Sequence, residues 1–518
     1  MKKICLVLLI VSFQLAFLAG CGKKSDAAVS SGDPNAPVAI SVWIPMQASE
    51  KTDWFTPDAP GFKVIREKTG VTVNWQVIPG GSPQLINEAY NLLMASGDIP
   101  DVVIGEISLQ LRRYPQAWLS IDELIKANPD RYPNLTKYIL EDEYLKSYLP
   151  DTDGHIRYVP MLATRRIGDI IIARDDLLQK YGLAPPVSAD DWHTALVAAK
   201  KDGKVGFMSR QQRAGILYRL LGGYVDCVIE DYFVEDGKVK YGVLDPRFKE
   251  GIELARQWYA EGLIDPEYPT TDSTRWWESV LRGNVFATHD NIQRIQAGVN
   301  DFVNNQHSDA RLIGVGPMLS PRTGERHTVI HYPHVRDRSA AISVSAKNPE
   351  RILDYFEYCF SEEGFILMNF GIEGYSFNYV DGVPKSDPDF LGKAERGEVA
   401  HPLTTRDMPK NQRDELIYDY TYDREDHKAV RDARDLYTDN DFIRENWIAS
   451  LSFTEEERAT LSPLRAELDT YRGEWLDKFI MGIEPMSKWD AFVSQIQKMN
   501  LQTTLDIYQK ALDRLLKK

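Results

Sequence analysis

Between Val38 and Ile104 the chain reads strand, helix, strand, helix, strand, and no other stretch limits the fold as much. Val38 to Ile44 is apolar and β-branched, and Pro45 ends it. Gly61 to Lys68 carries helical spacing and is closed by Gly70. Val71 to Ile78 alternates apolar and polar residues. Ser82-Pro83 supplies an N-cap and a first-turn proline for a helix running to about Ala95. Ser96-Gly97-Asp98-Ile99-Pro100 is a turn, and Asp101 to Ile104 is a third strand. Strands joined by helices over short connections form a parallel sheet, so the fold class is α/β. Ligands of such sheets sit beyond the carboxyl ends of the strands. That points at Trp43, Met46 and the stretch after Ile104, with Glu106 in it.

A chain of 518 residues is too long for one ordinary domain and suits two large lobes. Further along, Asp122–Ala127 and Asn134–Leu149 read as helices and His155–Val159 as a short strand. Gly168–Ala173 is a buried-type strand, followed by helices at Asp175–Tyr181 and Ala189–Lys201. Phe233–Tyr241 is a hairpin turning on Glu235-Asp236-Gly237-Lys238. Phe248 to Gly262 is an amphipathic helix with Ile252, Leu254, Ala255, Trp258 and Tyr259 at helical spacing. After Asp265-Pro266 come the adjacent Trp276 and Trp277. A strand-like Val285-Phe286-Ala287 leads to His289 and Asp290. Adjacent residues of a regular element cannot both face one core, so at least one of Trp276 and Trp277 looks outward or into a cleft. Ala340–Ser345 is a strand, Asn348–Cys359 a helix, and the region from about Phe453 is mostly helical.

The formal net charge is −15, which makes the chain a poor candidate for binding nucleic acid or anionic lipid by electrostatics. Local arginines (Arg165, Arg166, Arg210, Arg213) are the counterweight that could still draw a polyanion. No GxSxG, HExxH, P-loop or GxGxxG is present. His327, His331 and His334 form the one histidine cluster, and a half-exposed strand edge is its ordinary reading over a metal site. No Cys/His spacing suggests zinc. The 11 tryptophans and 25 tyrosines say more. The apolar C–H face of a sugar stacks on an aromatic ring, and its hydroxyls pair with Asp, Glu, Asn, Arg and His. Most of these aromatics belong to cores.

Residues 1–20 have a basic start, Lys2-Lys3, and an apolar run from Ile4 to Leu18, the pattern of a secretory signal too short for a confident membrane span. Leu18-Ala19-Gly20-Cys21 resembles a bacterial lipobox, which implies lipid on Cys21. Residues 21–36 read as a flexible tether. Cys227 and Cys359 are left, either bridged or as buried free thiols.

Trp258-Tyr259-Ala260-Glu261-Gly262-Leu263-Ile264-Asp265-Pro266-Glu267 resembles the signature of bacterial extracellular solute-binding proteins of family 1, in the large oligosaccharide-binding lipoprotein branch similar to alginate-binding proteins. Ser96–Val103, Ile172–Leu183, Phe233–Tyr241, Gly371–Tyr375 and Phe479–Arg514 resemble other family segments. The resemblance implies a two-lobe periplasmic-binding-protein type II fold, closing around ligand like a clamp. Expected boundaries are 37–165 plus 335–375 for the first lobe and 166–334 plus 376–518 for the second. Chain crossings are expected near Ala163–Asp169, Tyr332–Ser343 and Gly371–Phe377. It implies capture of an oligosaccharide and delivery to ABC permease subunits, by a monomer without cofactor, outside the cytoplasm and anchored to the membrane through Cys21. The expected ligand residues are Trp43, Glu106, Trp276, Trp277, His289, Asp290, Glu373 and Tyr375. Two departures stand out. Alginate-binding relatives carry a calcium loop after the helix that here holds Trp192, but Lys201-Asp202-Gly203-Lys204 is too short and too poor in oxygen ligands. Asp176 stands where the family usually has Trp. The competing readings are a same-fold binder of a non-sugar ligand, a co-receptor of a membrane sensor kinase, and, remotely, a secreted glycoside hydrolase.

Overall fold

The computed structural model describes residues 36–46, 51–78, 83–107, 110–163, 169–292, 294–295, 310–329, 335–395, 398–400, 408–412, 428–444, 448 and 451–516. The signal, Cys21, the tether to residue 35 and the Ser82 cap lie outside these residues. The folded unit is Pro37–Lys518. Its two main sheets use β1 (Val38–Pro45), β2 (Val71–Ile78), β3 (Val102–Glu106), β4 (Tyr158–Ala163), β5 (Asp169–Arg174), β6 (Val205–Met208), β7 (Val285–Asn291), β8 (Leu312–Val315), β9 (Val335–Ile342) and β10 (Asn411–Gln412).

The first sheet has the order β10-β4-β9-β3-β1-β2. β1 lies parallel to both β2 and β3, as the opening alternation requires. β9 enters from much later in the chain and runs antiparallel between β3 and β4. The second sheet has the order β8-β5-β7-β6, with β5 antiparallel to β7 and β8, and β6 parallel to β7. Each sheet carries its own apolar core. The first gathers Trp43, Tyr90, Trp118, Tyr132, Tyr158, Phe356 and Cys359. The second gathers Trp192, Phe248, Trp258, Phe286, Leu476, Phe479, Trp489 and Tyr508. This is a mixed α/β fold with one large core on each sheet and two smaller apolar clusters, and among the described residues no helix is long and apolar enough to cross a membrane.

The chain passes from the first sheet to the second between Ala163 and Asp169, and returns before Val335. Residues 164–168 and 330–334 lie outside the described set. The third passage falls later than expected. Gly371–Phe377 stays with the first sheet, because Asn369 Nδ2 donates to the Asn411 carbonyl (2.9 Å) and β10 pairs with β4. The chain leaves only after Gln412, and the helix Lys428–Asp439 packs on the second sheet, with Ala433 against Gly314.

Local chemistry explains most element ends. Ser188 and Asp191 form a capping box on the helix Ala189–Lys201, and Thr454 and Glu457 form one on Glu455–Ile480. Asp236 and Gly237 both have positive φ, the primed turn that a two-residue hairpin favours. The run Asn134–Leu149 is not one helix. Asp142 accepts a hydrogen bond from the Leu145 amide (2.9 Å) and starts a new helix, Glu143–Tyr148. Val285–Ala287 extends through His289 and Asp290 into a longer strand. The amphipathic helix, observed as Pro246–Ala260, turns Phe248, Ile252, Ala255 and Trp258 into the second core. Asp176 is held by both Nε (2.7 Å) and Nη2 (2.5 Å) of Arg174, so a salt bridge occupies the place of an aromatic contact. Cys227 and Cys359 are free thiols.

Behind the second core, helix Glu455–Ile480 is tied down by ionic contacts. Arg213 meets Glu230 (2.8 Å) and Asp477 (2.7 Å), Arg465 meets Asp231 (2.6 Å), and Arg472 meets Asp469 (3.0 Å) and the Tyr241 hydroxyl (2.8 Å).

Candidate functional site

In the second sheet β6 runs parallel to β7 and ends at Met208 beside Thr288, while β7 continues to Asn291, where β5 begins with Asp169. The register sets Asp169 opposite Asn291, Ile170 opposite Asp290 and Ile171 opposite His289. Ser209 and Arg210 leave the end of β6. Asp169, Ser209, Arg210, His289 and Asp290 therefore meet at one sheet edge, the carboxyl-end position where α/β sheets bind ligands.

Successive residues of β7 point to opposite faces. Thr288 and Asp290 share one. The Trp276 indole N–H donates to Thr288 Oγ1 (2.7 Å), and that hydroxyl donates to the Met208 carbonyl (2.7 Å). Trp276 is 2% exposed and packs with Met208, Val280 and Val285. Trp277, one residue on, is half-buried, with its ring tilted against Trp276 at 5.3 Å. The Arg210 guanidinium lies 5.9 Å from the Trp276 ring, and that of Arg294 lies 4.7 Å from Trp277. Both arginines also reach Asp290, Arg210 at 3.3 Å and Arg294 at 3.2 Å. Arg210 is shared with Asp169 (3.5 Å), which also accepts from Gln211 Nε2 (3.4 Å). Burial pushes the Asp290 carboxyl up, against the pull of Arg210.

His289 lies on the other face. It is fully buried, stacked over Phe207 (6.4 Å, 17°), and its Nε2 is 3.2 Å from Ser209 Oγ. Its Nδ1 has no hydrogen-bond partner and stands 3.9 Å from Asp169 Oδ2. Burial, with Arg219 and Arg210 adding to it, pushes the imidazole down to about 3, so it is neutral at working pH. Ser209, His289 and Asp169 have the residue types of a nucleophilic triad, but not its access. Ser209 is fully buried, and its hydroxyl already accepts the Gln211 amide (3.1 Å). A Cβ on Gly215 would overlap both Ser209 Oγ and His289 Nε2, so backbone closes the space where a substrate would approach.

The first sheet offers a second polar edge. Glu106 ends β3 in register with Arg338 of β9, and Arg338 Nη1 donates to the Pro45 carbonyl at the end of β1 (3.0 Å). The Glu106 amide donates to Gln110 Oε1 (3.0 Å), and Gln110 Nε2 donates to Asn87 (3.1 Å). Gly105 makes room for this, since a Cβ there would press on Gln110 Oε1.

The expected residues thus divide. Trp276, Trp277, His289 and Asp290 come together at the second sheet, and Glu106 stands at the end of the first. Trp43 turns into the first core, 3% exposed and edge-on to Tyr90 (6.1 Å), because alternation along β1 sets it on a sheet face covered by that core. Glu373 and Tyr375 lie in the turn before a small hairpin, Phe377–Val380 with Val383–Ser386. Glu373 is exposed. Tyr375 is 47% exposed and packs edge-on against Phe390 (5.5 Å). Asp169, Ser209, Arg294, Gln110 and Arg338 were not singled out from the sequence. For Asp169 a signal existed, an acidic residue opening the apolar run Ile170-Ile171-Ile172.

Among the described residues, no group of three or more His, Cys, Asp or Glu side chains is placed to hold a metal ion. His327 contacts Arg444 and Glu325, while His331 and His334 lie outside the described residues. In the turn after Ala189–Lys201, Asp202 takes the Lys180 ammonium (2.6 and 2.8 Å) and the Tyr181 hydroxyl (3.0 Å). One carboxylate already engaged by an ammonium does not fit a calcium ion, which takes six or more oxygens.

Comparison with known proteins agrees with this architecture. A family model for bacterial extracellular solute-binding proteins matches residues 48–364. The fructooligosaccharide ABC transporter substrate-binding protein FusA of Streptococcus pneumoniae serotype 4 (strain ATCC BAA-334 / TIGR4) is 24% identical, over 98% of this chain and 97% of that protein. Lipoprotein LipO of Bacillus subtilis (strain 168) is 23% identical, over 71% of this chain and 72% of that protein. Among solved structures, alginate-binding protein AlgQ2 without calcium ion superposes with a TM-score of 0.72 at 22% identity, covering 92% of this chain and 98% of that one. The overall fold is therefore the two-lobed type of those proteins.

Proposed function

Because this chain belongs to the bacterial extracellular solute-binding protein family, we propose that it captures an oligosaccharide outside the cytoplasm and delivers it to an ABC importer, held at the membrane by lipid on Cys21. It is a binding protein and not an enzyme. The observation that carries the ligand class is the meeting of an indole pair with carboxylates and guanidinium groups at the ends of β6 and β7. A sugar ring needs a flat apolar surface together with donors and acceptors for its hydroxyls, and Trp277, Arg210, Asp169 and Asp290 supply both kinds. Glu106 and Arg338 form the opposing polar edge in this reading, and the lobes close around the ligand about the passages between the two sheets. The name of FusA, a relative matched over nearly its whole length, supports an oligosaccharide. The name of LipO supports lipid on Cys21.

Purified protein is screened against an oligosaccharide array by thermal shift, with product analysis on the same samples. A rise in melting temperature with intact sugar is the expected result. Release of shortened sugar would contradict the binding-protein assignment, and no shift with any sugar would contradict the ligand class. Cys21→Ser should move the protein from the membrane fraction to the medium.

A further inference from the structure

Whether a sugar site draws acidic or neutral chains depends on how many of its guanidinium groups are already neutralised. Arg213 is committed to Glu230 and Asp477 in the support behind the second core. Arg210 lies between Asp169 (3.5 Å) and Asp290 (3.3 Å), and Arg294 rests on Asp290 (3.2 Å). At this edge the guanidinium groups of Arg210 and Arg294 face the carboxylates of Asp169 and Asp290, while Arg219, which bears on His289, donates to the Val329 carbonyl (2.8 Å). Arg165 and Arg166 lie outside the described residues.

The contacts are also loose. A charge-assisted N–H···O bond settles at about 2.7–2.9 Å, and these are longer. Arg210 Nε is buried without a partner, and so is His289 Nδ1 beside Asp169. The edge holds carboxylates that could accept more. A hydroxyl suits such a place because it donates and accepts at once, and it leaves the charge balance unchanged. A ligand carboxylate only accepts. It would bring a third negative group beside Asp169 and Asp290, where Asp169 already opposes the ionisation of Asp290.

We propose that the ligand is a neutral oligosaccharide, with hydroxyls and no uronate at the ring that reaches Asp169, Arg210 and Asp290. This rests on the oligosaccharide reading above and narrows it.

The test is calorimetric titration of the full purified protein with neutral gluco-, fructo-, manno- and xylo-oligosaccharides and with oligogalacturonate and oligoalginate of matched length. At least one neutral series should bind roughly 100-fold more tightly than either oligouronate, the scale of an uncompensated like-charge contact. Its affinity should hardly change with added salt, whereas a polyanion held by arginines loses affinity steeply. Asp169→Asn should weaken the neutral ligand about tenfold, the loss of one hydrogen bond to a charged group, and should strengthen oligouronate binding. Tighter binding of an oligouronate by the unaltered protein overturns the proposal while leaving the oligosaccharide reading intact. Binding of neither class overturns both. The salt series on the unaltered protein decides the question even if Asp169→Asn fails to fold.

Discussion

Replacing Trp276 and Trp277 one at a time should separate scaffold from binding surface. Trp276 is 2% exposed, fills the space between Met208, Val280 and Val285, and donates a buried 2.7 Å hydrogen bond to Thr288. Truncating a core tryptophan to alanine costs about 3–5 kcal/mol. The stranded Thr288 hydroxyl keeps its bond to Met208, so little more is added. Trp276→Ala should therefore destabilise the protein by about 4 kcal/mol. Trp277 is half-buried and carries Arg294 at 4.7 Å. Losing half of an aromatic burial and a cation–π contact costs about 1–2 kcal/mol. Its loss should instead weaken sugar binding by about 1–3 kcal/mol, which is roughly 5- to 150-fold. Urea denaturation measures the first quantity and calorimetric titration the second. Equal destabilisation by the two substitutions, or unchanged affinity in Trp277→Ala, would refute the division of roles.

Acidification tests His289. Its folded form stays neutral until about pH 3, while the unfolded chain takes up a proton near pH 6.5. Stability contributed by the neutral ring is complete above pH 6.5 and falls as pH drops, by about 2 kcal/mol at pH 5, levelling off near pH 3. His289→Gln should flatten that part of a denaturation series, and an unchanged slope in the variant contradicts the assignment. Glu230→Ala takes one carboxylate from Arg213, which keeps Asp477, and should cost about 1.5–3 kcal/mol in the same assay, the scale of a hydrogen bond to a charged group. Calcium or EDTA should leave the melting temperature unchanged, since Lys180 and Tyr181 already hold Asp202. A rise of several degrees with calcium would show a site elsewhere.

The parallel start of the first sheet is legible because proline, glycine and β-branched residues punctuate Val38 to Ile104 with little ambiguity. β10 is not, because Asn411-Gln412 has no periodicity, and only its pairing with β4 makes it a strand. The break at Asp142 is hidden for a related reason. Apolar spacing continues through Tyr144 and Leu145, and the cap depends on which backbone amide the carboxylate meets. At the site, type and place come apart. Trp276 and Trp277 were visible as an anomaly, but the partner of each indole depends on residues far off in sequence, Thr288 and Arg294. Asp169 and Arg210 are 41 residues apart and meet only because β5 starts where β6 ends. Trp43 shows another limit: strand-end reasoning picks out a stretch of chain, and the two-residue alternation decides which sheet face each side chain takes.

The two cores also set a timetable. The first needs residues from Ile40 to Met408, and the second from Ile171 to Leu515. Neither can close while the chain is still emerging, because β9 and β10 must return to the first sheet and the last helix must dock on the second. A nascent chain of this topology stays loose until it is nearly complete, the form in which a polypeptide can be threaded through a translocation channel. The interleaving of the two lobes thereby also delays their assembly until the chain is nearly complete.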